Sequence, residues 1–352
     1  MTPYVYDDPK TILTGQIYTD YFFGRSGYGE TPEIDELEHS IFIALDEPVS
    51  IQSREPRYEG DYDSIGCDAI DRVQLAGNVN IQALRESRGH GVRVQGSLFH
   101  AHTGHHHCEV LIYLGEVQPS IIDDRNTFPN AKIMSSGTGF LLGHDALIVT
   151  AAHVVSGALG ITVSRGLYRC KAVVERIDPA CDLAVLRIVP SGAMREVIAR
   201  REAVARPIRT WMSPQLGERV YAFGFPLRPV LPHSLNMSEG IVSAEVGIRS
   251  DRLQISAPIQ RGNSGGPLFD QRGNLIGIIS SKMLASFQFT PENINFAIRS
   301  RCLGEVCAEM GNPQRTEEEI KPVSPVVLAK LMQGLCVEVE CWQALEGAPR
   351  QP

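Results

Sequence analysis

The feature that most constrains this chain is a long series of short β-type segments between residues 131 and 299, separated by turns rich in glycine and proline. They include GTGFLLG, ALIVTAAHVV, LAVLRIV, ERVYAFGFP and NLIGIISS. Many short strands at roughly regular spacing favour a closed antiparallel architecture over alternating β and α units. We therefore predict an all-β fold for this part, with one helical insertion at GAMREVIARREAVA, residues 192–205.

The chain is long enough for more than one core, and its pattern changes along its length. Residues 1–118 alternate short β-type runs with turn residues, which predicts a small β-barrel or sandwich of its own. The run EVQPSIIDDRNTFPNAK breaks this pattern, so we place a linker at 119–130 and a second domain at 131–301. Residues 302–352 are predicted to form a short helical extension, with Ser324 as the N-cap of a helix.

Composition and charge exclude several classes of function. The formal net charge is −8 and no Lys/Arg-rich run is present, which disfavours nucleic acid or an anionic membrane as a partner. The longest apolar tract, FLLGHDALIVTAAHVV, carries too many polar residues for a membrane span. The N-terminal stretch MTPYVYDDPKTILTG lacks the basic start and apolar core of a secretory signal, so the sequence leaves the compartment open.

A candidate nucleophile lies in RGNSGGPLFD, where Ser264 is surrounded by glycines. A tight glycine-rich turn can expose a serine oxygen and aim backbone N–H groups at one point, as an oxyanion hole requires. Gly262 and Ser264 would supply those N–H groups. Because Gly-Ser-Gly-Gly turns are also common connectors, the motif alone leaves a purely structural role open.

A serine nucleophile needs a base and an orienting acid. His153 follows the apolar run IVTAA, and Asp182 immediately precedes the alternating segment LAVLRI. Each has an ordinary alternative, a hydrogen-bonded core histidine and a turn acid. The order His153, Asp182, Ser264 is nevertheless the order of the chymotrypsin class, which makes a chance coincidence of the three improbable.

Residues 135–299 resemble the trypsin-like serine proteases of the bacterial HtrA/Deg branch. The motifs that carry this resemblance, in order, are SGTGFLLG, IVTAAHVV, DLAVLRI, GERVYAFGFP, SEGIVSA, RGNSGGPLFD, LIGIISS and NFAI. The resemblance implies a chymotrypsin-like double β-barrel with His153 as base, Asp182 as its orienter and Ser264 as nucleophile. It also implies hydrolysis of protein or peptide substrates through an acyl-enzyme, with no cofactor.

The sequence departs from this family at several positions. Asn263 stands where clip-activated trypsins carry an acid, so zymogen clipping is not expected. About fifty residues follow Arg301, too few for the PDZ domain that HtrA proteins usually append, so none is expected. Ser256 occupies a region where the family often has an acid. With no acid between Ser256 and Gln260, we expect a pocket for a small or aliphatic residue on the acyl side of the cleaved bond.

The segment LFHAHTGHHHC, residues 98–108, holds five of the ten histidines. Two strands joined near Thr103-Gly104 would place His100 and His102 on one face, with His105 or His107 joining from the return strand. Such a cluster could bind zinc or another imidazole-preferring metal, and the alternative is a set of hydrogen-bonded imidazoles that shape a turn.

The region 15–115 is similar to an uncharacterised bacterial domain with a VxVxGxLFHAHTGHHxT signature. That domain tends to occur in exported proteins, so the resemblance favours the cell envelope. It implies no activity, and we interpret this region as a small binding module.

Two other functions stay open on the sequence. The double barrel could be a catalytically silent scaffold, or the histidine-rich half could be the functional centre. Disulfide bonds are also open: Cys67 with Cys108 is a possible pair, and Cys302 or Cys307 could pair with one of the tail cysteines, Cys336 or Cys341.

Overall fold

The computed structural model describes most of the chain. The described residues are 3–25, 27–78, 80–115, 119–142, 147–189, 208–210, 212–226, 234–245, 250–280, 294–308 and 323–345. The predicted helical insertion at 192–205 therefore lies outside the described residues. The chain forms two compact units, the first built mainly from residues 1–127 and the second mainly from the chain after residue 127.

The first unit is a small barrel. Its strands are β1 (Thr11–Phe23), β2 (Leu37–Ile51), β3 (Cys67–Ala76), β4 (Gly91–His100), β5 (Val110–Tyr113) and β6 (Ser120–Asp123). A short 3-10 helix covers Tyr62–Ser64, and helix α1 covers Ile81–Glu86. The hydrogen-bonded order is β1-β2-β3-β5-β4, and β4 pairs again with β1, which closes a ring of five strands.

The connectivity of this ring is distinctive. Strands β3 and β5 run parallel, the other pairs in the ring are antiparallel, and α1 lies between β3 and β4 in the chain. This is the topology of the OB fold, a five-stranded Greek-key barrel. The prediction of a small β-barrel in this half is thus confirmed. The segment expected to be a linker contributes β6, because residues 120–123 pair with β4 at its Gly91 end.

The second unit holds two closed six-stranded barrels. The first barrel has the order β10-β11-β8-β7-β18-β9 and the second has the order β12-β13-β14-β17-β16-β15. The strands are β7 (Ala131–Leu142), β8 (Leu147–Ala151), β9 (Gly160–Arg165), β10 (Tyr168–Asp178), β11 (Leu183–Val189), β12 (Arg219–Gly224), β13 (Asn236–Ala244), β14 (Arg252–Ile255), β15 (Pro267–Asp270), β16 (Leu275–Ile279), β17 (Asn295–Arg299) and β18 (Cys336–Ala344). The helices are α2 (Ala152–Val155), α3 (Ser300–Ala308) and α4 (Pro325–Leu335). The expected double β-barrel is confirmed.

The tail is only partly helical, which corrects the predicted helical extension of residues 302–352. Ser324 caps α4 as expected, its hydroxyl accepting a hydrogen bond from the Val327 N–H at 3.3 Å. The helix ends at Leu335, and the next nine residues form β18, which lies between β7 and β9. The alternation of Val337 and Val339 with glutamates is the period-two pattern of a strand, and this pattern overrides the helical appearance of the preceding residues.

Apolar residues of both barrels share one continuous core. Phe140 and Val149 of the first barrel belong to the same buried cluster as Tyr221 and Phe223 of the second. Helix α4 adds Leu328 and Met332 to this cluster. These are large apolar side chains, each contributing on the order of 2 kcal/mol when fully buried, so the two barrels and the helix are expected to form one cooperative structure.

Among the cysteines whose side chains the structure describes, Cys67, Cys108, Cys302, Cys336 and Cys341 are free thiols, so none of the hypothetical disulfide bonds is observed among them. Cys67 and Cys108 do not pair with each other, since each thiol donates to a nearby oxygen, of Glu109 and Val110 respectively. Among the described residues, no helix is long and apolar enough to cross a membrane.

Candidate active site

His153 is positioned by the end of a buried strand. The five residues of β8 are all buried, and the chain turns directly from this strand into the one-turn helix α2, whose second residue is His153. The imidazole side chain is 21% exposed, which leaves part of the ring accessible to another molecule.

Strand pairing brings Asp182 to the same place. In the antiparallel pair β8–β11, Leu183 lies opposite Ala151. Asp182, which precedes Leu183, therefore lies opposite Ala152, the residue that follows Ala151. The Asp182 carbonyl accepts a hydrogen bond from the Ala152 N–H at 2.9 Å, and its carboxylate accepts one from the His153 N–H at 3.0 Å. Asp182 therefore fixes the backbone at Ala152 and at His153, and with it the position of the histidine.

The imidazole of His153 is oriented by the same carboxylate. His153 Nδ1 lies 2.9 Å from Asp182 Oδ2 and 3.1 Å from Oδ1. Ser280 donates its hydroxyl to Oδ2 at 3.0 Å. Because an ionised carboxylate can only accept, Nδ1 carries the proton and Nε2 keeps its lone pair for another partner.

The electrostatics of Asp182 favour its ionised form. Burial by itself raises the pKa of a carboxyl group, but the hydrogen bonds from the His153 ring, the His153 N–H and Ser280 outweigh it and hold the pKa of Asp182 below its usual range. Asp182 also has a φ of 62°, in the left-handed region that few non-glycine residues adopt. Strained backbone held by surrounding contacts is typical of functional sites.

Ser264 lies in a tight turn between β14 and β15 and is buried. The turn is fixed by backbone bonds, with Asn263 N–H donating to Gln260 O at 3.1 Å and Gly265 N–H donating to Ile279 O at 2.8 Å. Gly265 has a φ of 87°, and a Cβ there would lie 2.2 Å from Thr138 O and 2.8 Å from Ala151 N. Only glycine allows this turn to approach the end of β8, two residues before His153.

Thr138 on β7 connects the first barrel to this turn. Its hydroxyl donates to Gly262 O at 2.7 Å and accepts from Phe225 N–H at 3.0 Å, while its own N–H donates to Ser264 O at 2.8 Å. The peptide between Gly262 and Asn263 is thus held at its oxygen by Thr138 and at its N–H by Gln260. Because this peptide lies between the two predicted oxyanion donors, the Gly262 and Ser264 N–H groups, its fixation limits the directions in which they can point.

Sequence reasoning identified His153, Asp182 and Ser264 but missed Thr138 and Ser280. Ser280 follows directly after β16 in the motif LIGIISS, and its position at the end of a buried strand gave a weak signal. Thr138 lies in the motif SGTGFLLG, but nothing local to that motif indicates its role, since it contacts Gly262, 124 positions away.

The four histidines predicted as metal candidates are not gathered at one point. His105 Nδ1 and His107 Nε2 each bind one carboxylate oxygen of Glu38, at 2.9 and 3.2 Å. The backbone N–H of His102 donates to His106 Nδ1 at 3.0 Å, and the His102 ring Nδ1 lies 3.1 Å from the His100 carbonyl oxygen. The His100 ring lies beside Cys67 and Glu109.

Comparison with known families identifies two segments. Residues 137–278 match the family described as trypsin-like peptidase domain. Residues 72–118 match a domain of unknown function, DUF4431. The second match contains the histidine-rich segment and lies within the first unit.

The most similar relatives include proteases. The uncharacterized protein y4bJ of Sinorhizobium fredii is 36% identical over 237 residues, which are 64% of this chain and 35% of that protein. Serine protease HTRA4 of Mus musculus is 34% identical over 189 residues, 49% of this chain and 36% of that protein. A serine endoprotease structure from Yersinia pestis is 30% identical, covers 53% of this chain and 60% of its own, and has a TM-score of 0.42. This chain therefore spans little more than a third of the length of the two curated relatives.

Proposed function

Since residues 137–278 form a trypsin-like peptidase domain of the HtrA/Deg branch, we propose that the chain is a serine endopeptidase that uses Ser264, His153 and Asp182. The observation that carries this proposal is the pair of contacts from His153 Nδ1 to the Asp182 carboxylate. They fix the tautomer in which Nε2 can accept a proton, as a general base must.

The proposed reaction runs through an acyl-enzyme. Ser264 Oγ attacks the carbonyl carbon of the peptide bond while His153 Nε2 takes the hydroxyl proton. The negative oxygen of the tetrahedral intermediate accepts hydrogen bonds from the Gly262 and Ser264 N–H groups. His153 then gives its proton to the leaving amine, and water, activated by the same imidazole, hydrolyses the ester and regenerates Ser264.

Protein or peptide substrates with a small or aliphatic residue before the cleaved bond fit the proposed site best. Ser256–Gln260, the segment that precedes the nucleophile turn, contains no acid that would pair with Lys or Arg. The Ser256 hydroxyl is used locally, accepting a hydrogen bond from the Ile241 N–H at 3.0 Å. The segment GIISSKM, residues 277–283, follows the nucleophile turn and is expected to form the other wall of this pocket, but it lies partly outside the described residues. A peptide library cleaved mainly after Arg or Lys would contradict this specificity.

A fluorophosphonate probe tests the proposed nucleophile. The purified chain should be labelled on Ser264, and labelling should vanish in both Ser264→Ala and His153→Ala. Ser156→Ala is a matched control, because Ser156 is exposed and only three residues from His153, and its labelling should equal that of the wild type.

The alternative of a silent scaffold gives the opposite result. A well-folded wild type that does not react with the probe, or a Ser264→Ala variant that still does, would contradict the proposed mechanism. The first outcome favours a double barrel that binds proteins without cleaving them.

A further inference from the structure

Three side chains with metal-ligating atoms converge at one end of the first barrel. Cys67 Sγ, a ring nitrogen of His100 and a carboxylate oxygen of Glu109 all lie within 4.8 Å of one another. Cys67 begins β3, His100 ends β4, and Glu109 immediately precedes β5. His100 pairs with Val110, and the Ala101 N–H donates to the Glu109 carbonyl oxygen at 2.9 Å, so the β4–β5 pairing holds His100 beside Glu109. Cys67 joins them through its sulfur, which lies 3.1 Å from Glu109 Oε1.

The His100 ring is oriented for ligation. Its Nδ1 lies 2.9 Å from the Ala101 carbonyl oxygen, which can only accept, so Nδ1 carries the proton and Nε2 keeps the lone pair. Nε2 faces Glu109, 4.0 Å from Oε1. The backbone of His100 is fixed as well, with its N–H donating to Asp63 Oδ1 at 2.6 Å. Metal-ligating histidines are typically oriented by such a bond from the second ring nitrogen.

The other two groups complete a half-open site. Cys67 is 4% exposed and its Sγ lies 3.1 Å from Glu109 Oε1, while the Tyr6 hydroxyl is 3.3 Å from the same sulfur. The Glu109 side chain is 54% exposed, so the site is buried on the side of Cys67 and open to solvent on the side of Glu109. An ion could therefore enter from solvent without unfolding the barrel.

We propose that Cys67, His100 and Glu109 bind one Zn²⁺ ion through a thiolate, Nε2 and a carboxylate oxygen. A mixed sulfur, nitrogen and oxygen set suits zinc, whereas calcium and magnesium prefer oxygen alone. With the usual bond lengths, ligand atoms around a tetrahedral zinc lie roughly 3.4 to 3.7 Å apart. The distances of 3.1 and 4.0 Å bracket that range, so small side-chain rotations suffice. Binding releases the thiol proton, and the fourth position is left for water or another molecule.

The neighbouring histidine run does not supply the ligands. His105 and His107 bind Glu38, and His106 accepts the backbone N–H of His102. The run thus contributes only its first member, His100, to the proposed site. This distinction makes the site separable by mutation from non-specific binding to a histidine-rich loop.

Cobalt titration of the full chain tests the site, because Co²⁺ replaces Zn²⁺ and reports thiolate coordination by a near-ultraviolet charge-transfer band. After treatment with a chelator and desalting, the wild type should take up about one equivalent with this band, and Zn²⁺ should abolish it. The band should be absent in Cys67→Ala and retained in Cys108→Ala, the matched control for a thiol in the same unit.

Two further variants keep the test valid if Cys67→Ala fails to fold. Glu109→Gln changes an exposed side chain and should weaken metal binding at least about tenfold. His106→Gln should leave the affinity unchanged. A wild type without the charge-transfer band, a band that survives Cys67→Ala, or an affinity unaffected by Glu109→Gln would overturn the proposal.

Discussion

Asp182 shows how a single residue combines structure and chemistry. It contacts the Ala152 N–H, the His153 N–H, the His153 ring and the Ser280 hydroxyl, and it does so from a left-handed backbone conformation. Asparagine tolerates that conformation nearly as well as aspartate. Asp182→Asn therefore removes the charge with little change in backbone preference.

We expect Asp182→Asn to lower kcat by about 10⁴-fold while the protein still folds, because an amide can donate to the ring and stabilise the wrong tautomer. Active-site titration combined with kcat on a peptide ester measures this loss. A variant with less than a tenfold decrease would mean that the Asp182 carboxylate does not orient the base.

The lowered pKa of Asp182 also predicts a pH-dependent stability. The folded state favours the ionised carboxylate, so its contribution is fully present above the ordinary Asp range near pH 4 and is lost as the pH falls through the lower pKa of the folded state. The difference in free energy of unfolding between wild type and Asp182→Asn should thus shrink on acidification. Urea unfolding at several pH values measures it, and a constant difference would contradict the assignment.

Thr138 is proposed to position the turn that carries Ser264, the proposed nucleophile. Thr138→Val keeps the shape but removes the hydroxyl that joins Gly262 O to Phe225 N–H, so we expect kcat to fall about 10-fold to 100-fold with little change in KM. Thr138→Ser keeps the hydroxyl and should restore most of the rate. Equal losses in both variants would indicate a packing role only.

At this scale the sequence predicted residues whose chemical role can be inferred locally and missed Thr138 and Ser280, whose roles depend on contacts with residues far away in the chain. His153 and Asp182 are each next to a strand whose alternating pattern can be read locally. Thr138 reaches Gly262, 124 residues further along the chain, and no local pattern reports such a contact.

Among the elements, β18 has the most unexpected position. It completes the first barrel by pairing with β7 on one side and β9 on the other. Glu340 of this strand is buried, and its carboxylate accepts hydrogen bonds from the hydroxyls of Thr162 at 2.8 Å and Ser164 at 2.6 Å. These two bonds provide the buried carboxylate with hydrogen-bond donors. A sequence pattern with acids at every second position predicts a solvent face, and for this reason the burial of both faces could not be foreseen.

Val339→Ala tests how much β18 contributes to the free energy of unfolding. Val339 is fully buried, and loss of two methyl groups should decrease the free energy of unfolding by about 2 kcal/mol. Gln343→Ala, on the exposed end of the same strand, should change it by less than about 0.5 kcal/mol. Urea unfolding compares the two variants. Equal decreases in the free energy of unfolding would mean that Val339 does not pack in the core.

For the whole molecule, the proposed catalytic and zinc sites use separate sets of residues. His153, Asp182 and Ser264 belong to the second unit, whereas Cys67, His100 and Glu109 belong to the first. The architecture of each unit was predictable because strand patterns repeat within it. The ring closure between β4 and β1 and the insertion of β18 were not, since both depend on long-range pairing.

Chelation should therefore leave the chemistry at Ser264 intact. We expect removal of metal to leave the rate of fluorophosphonate labelling unchanged, because none of the three proposed catalytic residues is a proposed ligand. The protection of amides in the first unit from hydrogen exchange should fall, since the proposed ion would stabilise only the folded state of that unit. Hydrogen exchange of both units with and without chelator measures this, and loss of labelling would show that the sites depend on each other.

The place of β18 in the chain also sets the timing of maturation during synthesis. Strands β7 to β11 leave the ribosome before the second barrel, so β7 and β9 lack the strand that pairs with both of them while the second barrel is synthesised. That strand is complete only after residue 344 has emerged. Thr138 lies on β7, so the turn around Ser264 gains its support at the same late moment. A nascent chain would thus hold the proposed catalytic residues in an incomplete barrel, and we expect any activity to begin only after the segment that completes the barrel has been released.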